Sequence, residues 1–234
     1  MHQQRIVKIE KIAAALGQFA IEKQNQQRVE ITTKSLRDFA SEVDLETEVL
    51  ARRLIADSFP GEAIIGEENG GDECSAYWII DPIDGTTNYL RGHPYWAVSI
   101  AWVVDGEPVI GVIAMPGLNE TLVGGESIEV RLNGDIVNRG ETIPRLAAVG
   151  RNAIWPETER QEMESQLEHE GYTLVSLGCC AVECAFTALG RLDRYVQNHI
   201  SFWDCAAGIA IAKAAGLTPM VKRHKMDCRV FSIK

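Results

Sequence analysis

The chain has 234 residues, 46% hydrophobic and 24% charged, an ordinary globular composition with enough apolar material for one large core or two fused layers. A formal charge of −10 argues against a nucleic-acid polymer as partner. No apolar run reaches membrane-span length and Met1-His2-Gln3-Gln4-Arg5 lacks a signal-peptide core, so no membrane partner and a cytoplasmic location are expected.

Ile6, Ile9, Ala13, Leu16 and Ala20 recur at helical spacing, and Ser41 followed by Asp44, Val49, Leu50 and Leu54 reads as a second, capped helix. Strands are expected at Ala63 to Gly66 and Tyr77 to Ile80. Trp96 to Val104 and Val109 to Ala114 flank Asp105-Gly106, and Ile128 to Leu132 meets Asn133-Gly134; both dipeptides are hairpin turns, so the middle of the chain is predicted to be antiparallel sheet. Further on, Pro156 to Glu170 reads as a polar helix, Tyr172 to Leu177 as a strand and Val182 to Leu189 as a helix stopped by Gly190. Ala206 to Ala215 follows as another, with Gly216 at its C-cap. With no linker, low-complexity tract or internal repeat, one domain over residues 1–234 is expected, of layered α+β type. Cys74, Cys179, Cys180, Cys184, Cys205 and Cys228 show no paired C-x-x-C pattern and are expected to be reduced.

Chemistry concentrates in Trp78-Ile79-Ile80-Asp81-Pro82-Ile83-Asp84-Gly85-Thr86-Thr87-Asn88, where an apolar strand runs into two acids, a glycine and two hydroxyls. Two carboxylates at a strand's carboxyl end are costly without a cation, and with a backbone carbonyl between them they suit a hard ion such as Mg²⁺. Gly85 permits close backbone approach, and a helix opened by Thr86 would offer N–H groups to an anion. Two other segments carry acids beside apolar runs: Ile64-Ile65-Gly66-Glu67-Glu68-Asn69 and Phe202-Trp203-Asp204-Cys205-Ala206-Ala207-Gly208.

Together, and in this order, the three segments closely resemble the signatures of the inositol monophosphatase family: a Gly-Glu-Glu segment, Asp-Pro-Ile-Asp-Gly-Thr and Trp-Asp-x-Ala-Ala-Gly. The resemblance implies alternating α, β, α, β, α layers, as in inositol monophosphatase and fructose-1,6-bisphosphatase, and a homodimer. It also implies two or three Mg²⁺ ions held by Glu67, Asp81, Asp84, Asp204 and the Ile83 carbonyl, an oxygen set unlike that of zinc. Thr86 would bond the attacking water and Asp44 accept its proton, with Glu67 contributing to catalysis; Asp44 has a rival reading as the capping acid of Ser41. Asp84, Gly85, Thr86, Gly178, Cys180, Gln197 and Asp204 would contact the substrate, a small phosphorylated alcohol or sugar. Lys34 and Glu68 are further candidates, each with a rival reading as a surface side chain.

The chain departs from the family at the alcohol end. Gly178-Cys179-Cys180-Ala181 replaces Gly-Ser-Ala-Ala, and Gln197 replaces a glutamate, which removes a charge and changes hydrogen-bond polarity. Cys180 is equally readable as a small buried residue. Leu217 to Lys234 lacks the glycine pair of many members, so a shortened C-terminal end is expected. The expected activity is Mg²⁺-dependent hydrolysis of a phosphate monoester. A 3′(2′),5′-bisphosphate nucleotidase, a fructose-1,6-bisphosphatase, a histidinol phosphatase and a noncatalytic sugar-phosphate-binding module stand as alternatives.

Overall fold

The first two helices each bury one face against a sheet. α1 (His2–Glu30) turns Ile6, Ile9, Ala13, Leu16 and Ala20 inward, the positions expected from their spacing. α2 (Leu36–Ser58) buries Val43, Thr47, Ala51 and Ile55 and leaves Val49 56% exposed, so the apolar stripe lies elsewhere than expected. It also begins before Ser41. Asp44 therefore sits in the helix body, and the reading of it as a capping acid is corrected. The computed structural model describes residues 2–30, 36–137, 139–140 and 144–234.

The first sheet pairs β1 (Ala63–Gly66) in parallel with β2 (Ala76–Asp84). It continues antiparallel through β3 (Ala97–Val104), β4 (Glu107–Met115), β5 (Glu120–Gly125), β6 (Ile128–Leu132) and β7 (Asp135–Ile136). Both predicted turns have left-handed backbones, with φ of 49° and 83° at Asp105 and Gly106 and 51° and 90° at Asn133 and Gly134. Strand alternation divides the core: Trp78, Ile80, Val98 and Ile100 pack under α1 and α2, while Tyr77, Ile79, Ala101 and Val103 face the opposite side.

That opposite side is covered by α5 (Cys180–Ala188) and α6 (Phe202–Ala214), which bury Cys184, Ala185, Ala207 and Ile211. α6 crosses β4 so closely that a Cβ on Gly111 would stand 2.3 Å from the Ala207 carbonyl oxygen. Beyond these helices lies the second sheet, in which β8 (Leu146–Val149), β9 (Thr173–Val175) and β10 (Arg194–Val196) run parallel. β13 (Asp227–Ile233) pairs antiparallel with β10, with β11 (Ile200–Ser201) and with β12 (Pro219–His224). α4 (Glu157–His169) covers the outer face through Leu167, against Ala147, Val149 and Val196. The order of layers is thus α1/α2, sheet, α5/α6, sheet, α4, as the family resemblance implies. The segment after Gly216 forms the β12–β13 hairpin and completes the second sheet. β5, β7, β8, β10, β11, β12 and β13 were not foreseen, several of them being short or without clear alternation.

Candidate active site

β2 carries its two acids on the strand itself. Pro82 has no N–H for the ladder, and the pairing with β3 shifts between Asp81 and Asp84. Asp81 Oδ1 accepts the Ile83 N–H at 3.1 Å, which fixes the irregularity from within. Gly85 follows at φ 84° and opens α3 (Thr86–Arg91). It has to be glycine, since a Cβ would stand 3.0 Å from both the Cys179 Cβ and the Tyr95 carbonyl oxygen. The Thr86 hydroxyl donates to the Ile83 carbonyl at 3.1 Å.

Other elements bring acids to the same place. Glu67 follows β1, and its N–H, bonded to the Ile80 carbonyl at 3.2 Å, keeps it beside β2. Asp204 lies in the first turn of α6, where its Oδ2 accepts the Ser201 N–H at 3.0 Å. The Ser99 hydroxyl donates to the Trp203 carbonyl at 3.4 Å and ties that turn to β3. Asp84 Oδ2 accepts the Ala181 N–H at 2.5 Å at the start of α5. Asp44 comes from α2 and is 6% exposed.

These acids raise one another's pKa. Burial, then Glu68 and Glu67, push Asp44 up to about 8. Asp81 is raised well above the carboxylate range by burial and by Glu67, Asp84, Asp204 and Asp44. Asp204 rises for the same reasons, burial first, then Asp84 and Glu67. Burial lifts Asp84 to about 6 against the opposing hydrogen bond from Ala181. Glu67 lies at the exposed rim; partial desolvation takes it up to about 7, a hydrogen bond with Asp81 opposes this, and Glu68, Asp84 and Glu48 add to it. Carboxylates crowded in this way favour either protons or a cation.

Among the described residues, no three His, Cys, Asp or Glu side chains form a ready-made metal shell. Asp81, Asp84 and Asp204 each give one oxygen to a backbone N–H. The donors are nevertheless all oxygens and lie within reach of one another's charge. They fit a hard divalent cation, once the remaining oxygens turn inward.

At the alcohol end the predicted residues differ in character. Gly178 is exposed at φ 76°, in a loop held by Asn88, whose amide donates to the Leu177 carbonyl at 2.8 Å. Cys180 is 5% exposed, with its Sγ 4.0 Å from that of Cys184, in keeping with the small buried alternative. Gln197 Oε1 accepts the Tyr195 hydroxyl proton at 2.5 Å, and its side chain lies across Gly150, where a Cβ would meet that oxygen at 1.9 Å. Glu68 is exposed, and Lys34 lies outside the described residues.

Sequence reasoning missed Glu48 and Glu183, both wholly buried. Glu183 Oε1 accepts the Leu177 N–H at 2.6 Å, supporting the loop with Gly178, and burial pushes the carboxyl up to about 7. Its signal was a lone acid in the apolar run Cys180-Ala181-Val182-Glu183-Cys184. Glu48 could have been found from its place four residues after Asp44, on the same face of a helix.

Comparison with known proteins adds relatives to this geometry. The family model described as inositol monophosphatase family matches residues 2–228. An uncharacterized protein of Sinorhizobium fredii is 42% identical over 213 residues, covering 91% of this chain and 78% of that one. A fructose-1,6-bisphosphatase/inositol-1-monophosphatase of Thermotoga maritima is 35% identical over 184 residues, 77% and 70% of the two chains. A protein named Nus factor SuhB from Vibrio cholerae is 31% identical over 225 residues, 92% and 84%. Among solved structures, an IMPase of Thermotoga maritima superposes with a TM-score of 0.82 at 26% identity, covering 99% of this chain and 92% of that one. The layered fold, the ordered acidic motifs and the whole-length match lead to one conclusion: the chain belongs to the inositol monophosphatase family.

Proposed function

We propose that this protein is a Mg²⁺-dependent phosphatase that hydrolyses a small phosphate monoester of a polyol or sugar. The observation that carries the reading is the meeting of Asp44, Glu67, Asp81, Asp84 and Asp204 around Gly85-Thr86. The family is of phosphatase type and generally Mg²⁺-dependent.

In this reading Glu67, Asp81, Asp84, Asp204 and the Ile83 carbonyl hold two or three ions. When bound, such ions lower the pKa of a water, orient it and stabilise the leaving oxygen. The chain's own groups do the rest. Thr86 Oγ1 donates to Ile83, so its lone pairs are left to receive an O–H of the attacking water. Asp44 accepts the proton that this water gives up. Gly85 and Thr86 turn backbone N–H groups to the phosphate, and Gly178 and Gln197 face the alcohol, with Glu68 and Lys34 as outlying contributors; Cys180, buried beside Cys184, is not assigned to the alcohol. The reading includes a homodimer, from the family resemblance, and a one-domain protein in the cytoplasm, from the sequence pattern; light scattering tests the first and cell fractionation the location.

The deciding experiment is phosphate release from inositol 1-phosphate, fructose 1,6-bisphosphate, histidinol phosphate and 3′-phosphoadenosine 5′-phosphate, with Mg²⁺, with EDTA, and with millimolar Li⁺ at limiting Mg²⁺. Mg²⁺-dependent release that Li⁺ inhibits is expected. Activity that survives EDTA overturns the metal role. Release from none of the four favours a noncatalytic role, a second reading prompted by the relative named as a Nus factor.

A further inference from the structure

We propose that Glu48 is a positioning residue, which sets the affinity of the site for its divalent cation by fixing the turn that carries Glu67. The inference rests on the metal-dependent reading above, but Glu48 is not itself a ligand.

The Glu48 carboxylate is wholly buried, and each of its oxygens has a donor. Oε2 accepts the Glu68 N–H at 2.7 Å; Oε1 accepts the Asn69 N–H at 3.2 Å, the Asn69 amide at 3.1 Å and Arg52 Nε at 2.7 Å. Arg52, one helical turn further along α2, sends its remaining donors to the Ile64 carbonyl at 3.3 Å and the Gly70 carbonyl at 2.5 Å. Carboxylate and guanidinium from one helix thus hold one turn between them: the first takes two of its N–H groups, the second the Gly70 carbonyl at its end and the Ile64 carbonyl on the strand that leads into it. The turn is closed at its base by paired Gly66–Gly70 hydrogen bonds of 3.0 Å each.

A second observation is independent of these bonds. A Cβ on Gly66 would stand 2.2 Å from both Cδ and Oε1 of Glu48. The glycine of the Gly66-Glu67-Glu68 segment is thus required by the approach of this carboxylate, since its backbone is not in the left-handed region.

Burying a carboxylate is costly unless its oxygens are hydrogen-bonded, and here both are. Glu68 and Asn69, which it grips, are exposed, as are Glu67 and Gly70 on either side of them, and the turn has little packing to hold it. Asp44 lies one turn earlier on the same helix, so Glu48 also fixes Asp44 relative to Glu67. Removing the clamp should leave Glu67 present but loosely aimed. Outer residues that orient ligands typically control metal affinity by 10- to 100-fold.

The test is Glu48→Gln, which keeps the volume but turns an amide NH₂ toward N–H donors. Mg²⁺ affinity by calorimetry should fall by roughly 10-fold or more. The KM for an ester at saturating Mg²⁺ should change less than about twofold, because the alcohol and phosphate contacts are untouched. The Glu68 and Asn69 amides should exchange faster with solvent. A purely structural role would lower stability without this split. If Glu48→Gln does not fold, Gly66→Ala, which displaces the carboxylate from the other side, should give the same loss of affinity. Wild-type Mg²⁺ affinity in whichever variant folds overturns the proposal, and so does a wild-type protein that binds no Mg²⁺. A wild-type protein that binds Mg²⁺ and loses affinity in the variant, yet hydrolyses no ester, supports the clamp and sinks the phosphatase reading instead.

Discussion

Asp84 at the end of β2 and Ala181 in the first turn of α5 are joined by a 2.5 Å hydrogen bond across 97 residues of sequence. One oxygen of Asp84 is therefore anchored at a helix N-terminus, where the dipole favours its charge, and in the proposed reading the carboxylate also serves a cation. Asp84→Asn keeps an acceptor for Ala181 but removes the charge. Turnover should fall by roughly 10²-fold or more, with the circular-dichroism spectrum and melting temperature little changed. Near-normal turnover would reject Asp84 as a ligand of the catalytic ion.

The acid cluster also makes stability depend on pH and metal. Without a cation Asp44 is raised from 3.8 to about 8, Glu67 from 4.5 to about 7 and Asp84 from 3.8 to about 6. Over that window the native protein binds more protons than the unfolded chain, so its stability falls as pH rises from about 4 to about 8. If Mg²⁺ binds the ionised acids as proposed, its stabilisation should be greatest at the alkaline end, about 2.7 kcal/mol at a hundredfold excess over Kd. Thermal melts in EDTA and in Mg²⁺ at about pH 5, 6.5 and 8 check this. A metal-free melting temperature that climbs across the window would contradict the assignment.

Gln197 tests the alcohol end. The Tyr195 hydroxyl holds its Oε1, so Gln197→Glu keeps that bond and replaces the amide nitrogen with a charged acceptor. Charge-assisted bonds are roughly twice as strong as neutral ones. Selectivity, as kcat/KM for inositol 1-phosphate relative to a simple phosphate ester, should rise about tenfold, equivalent to about 1.4 kcal/mol. An unchanged ratio would show that residue 197 does not reach the alcohol.

Packing between the first sheet and α6 can be tested away from the acids. Gly111→Ala would drive a methyl against the Ala207 carbonyl, a contact that backbone on both sides cannot relax. A loss of about 1–3 kcal/mol is expected from the urea midpoint, with Mg²⁺ affinity retained in the folded fraction. Stability equal to wild type would mean that α6 shifts freely over β4.

How much of this was legible beforehand depended on distance along the chain. The inward stripe of α1, the hairpins at Asp105-Gly106 and Asn133-Gly134, and the three acidic segments were readable from sequence, since helical period, turn chemistry and motif spacing involve residues only a few positions apart. The placement of Asp44 in the body of α2 was not, because Ser41-x-x-Asp44 fits a cap and a buried helix face equally well. Nor were β10, the parallel pairing of β8 with β9, the Asp84–Ala181 bond or the grip of Glu48 on the turn after β1. Each joins groups that only packing brings together. A buried carboxylate looks in sequence like any surface acid, and its meaning is decided by which backbone N–H groups the folded chain places against it.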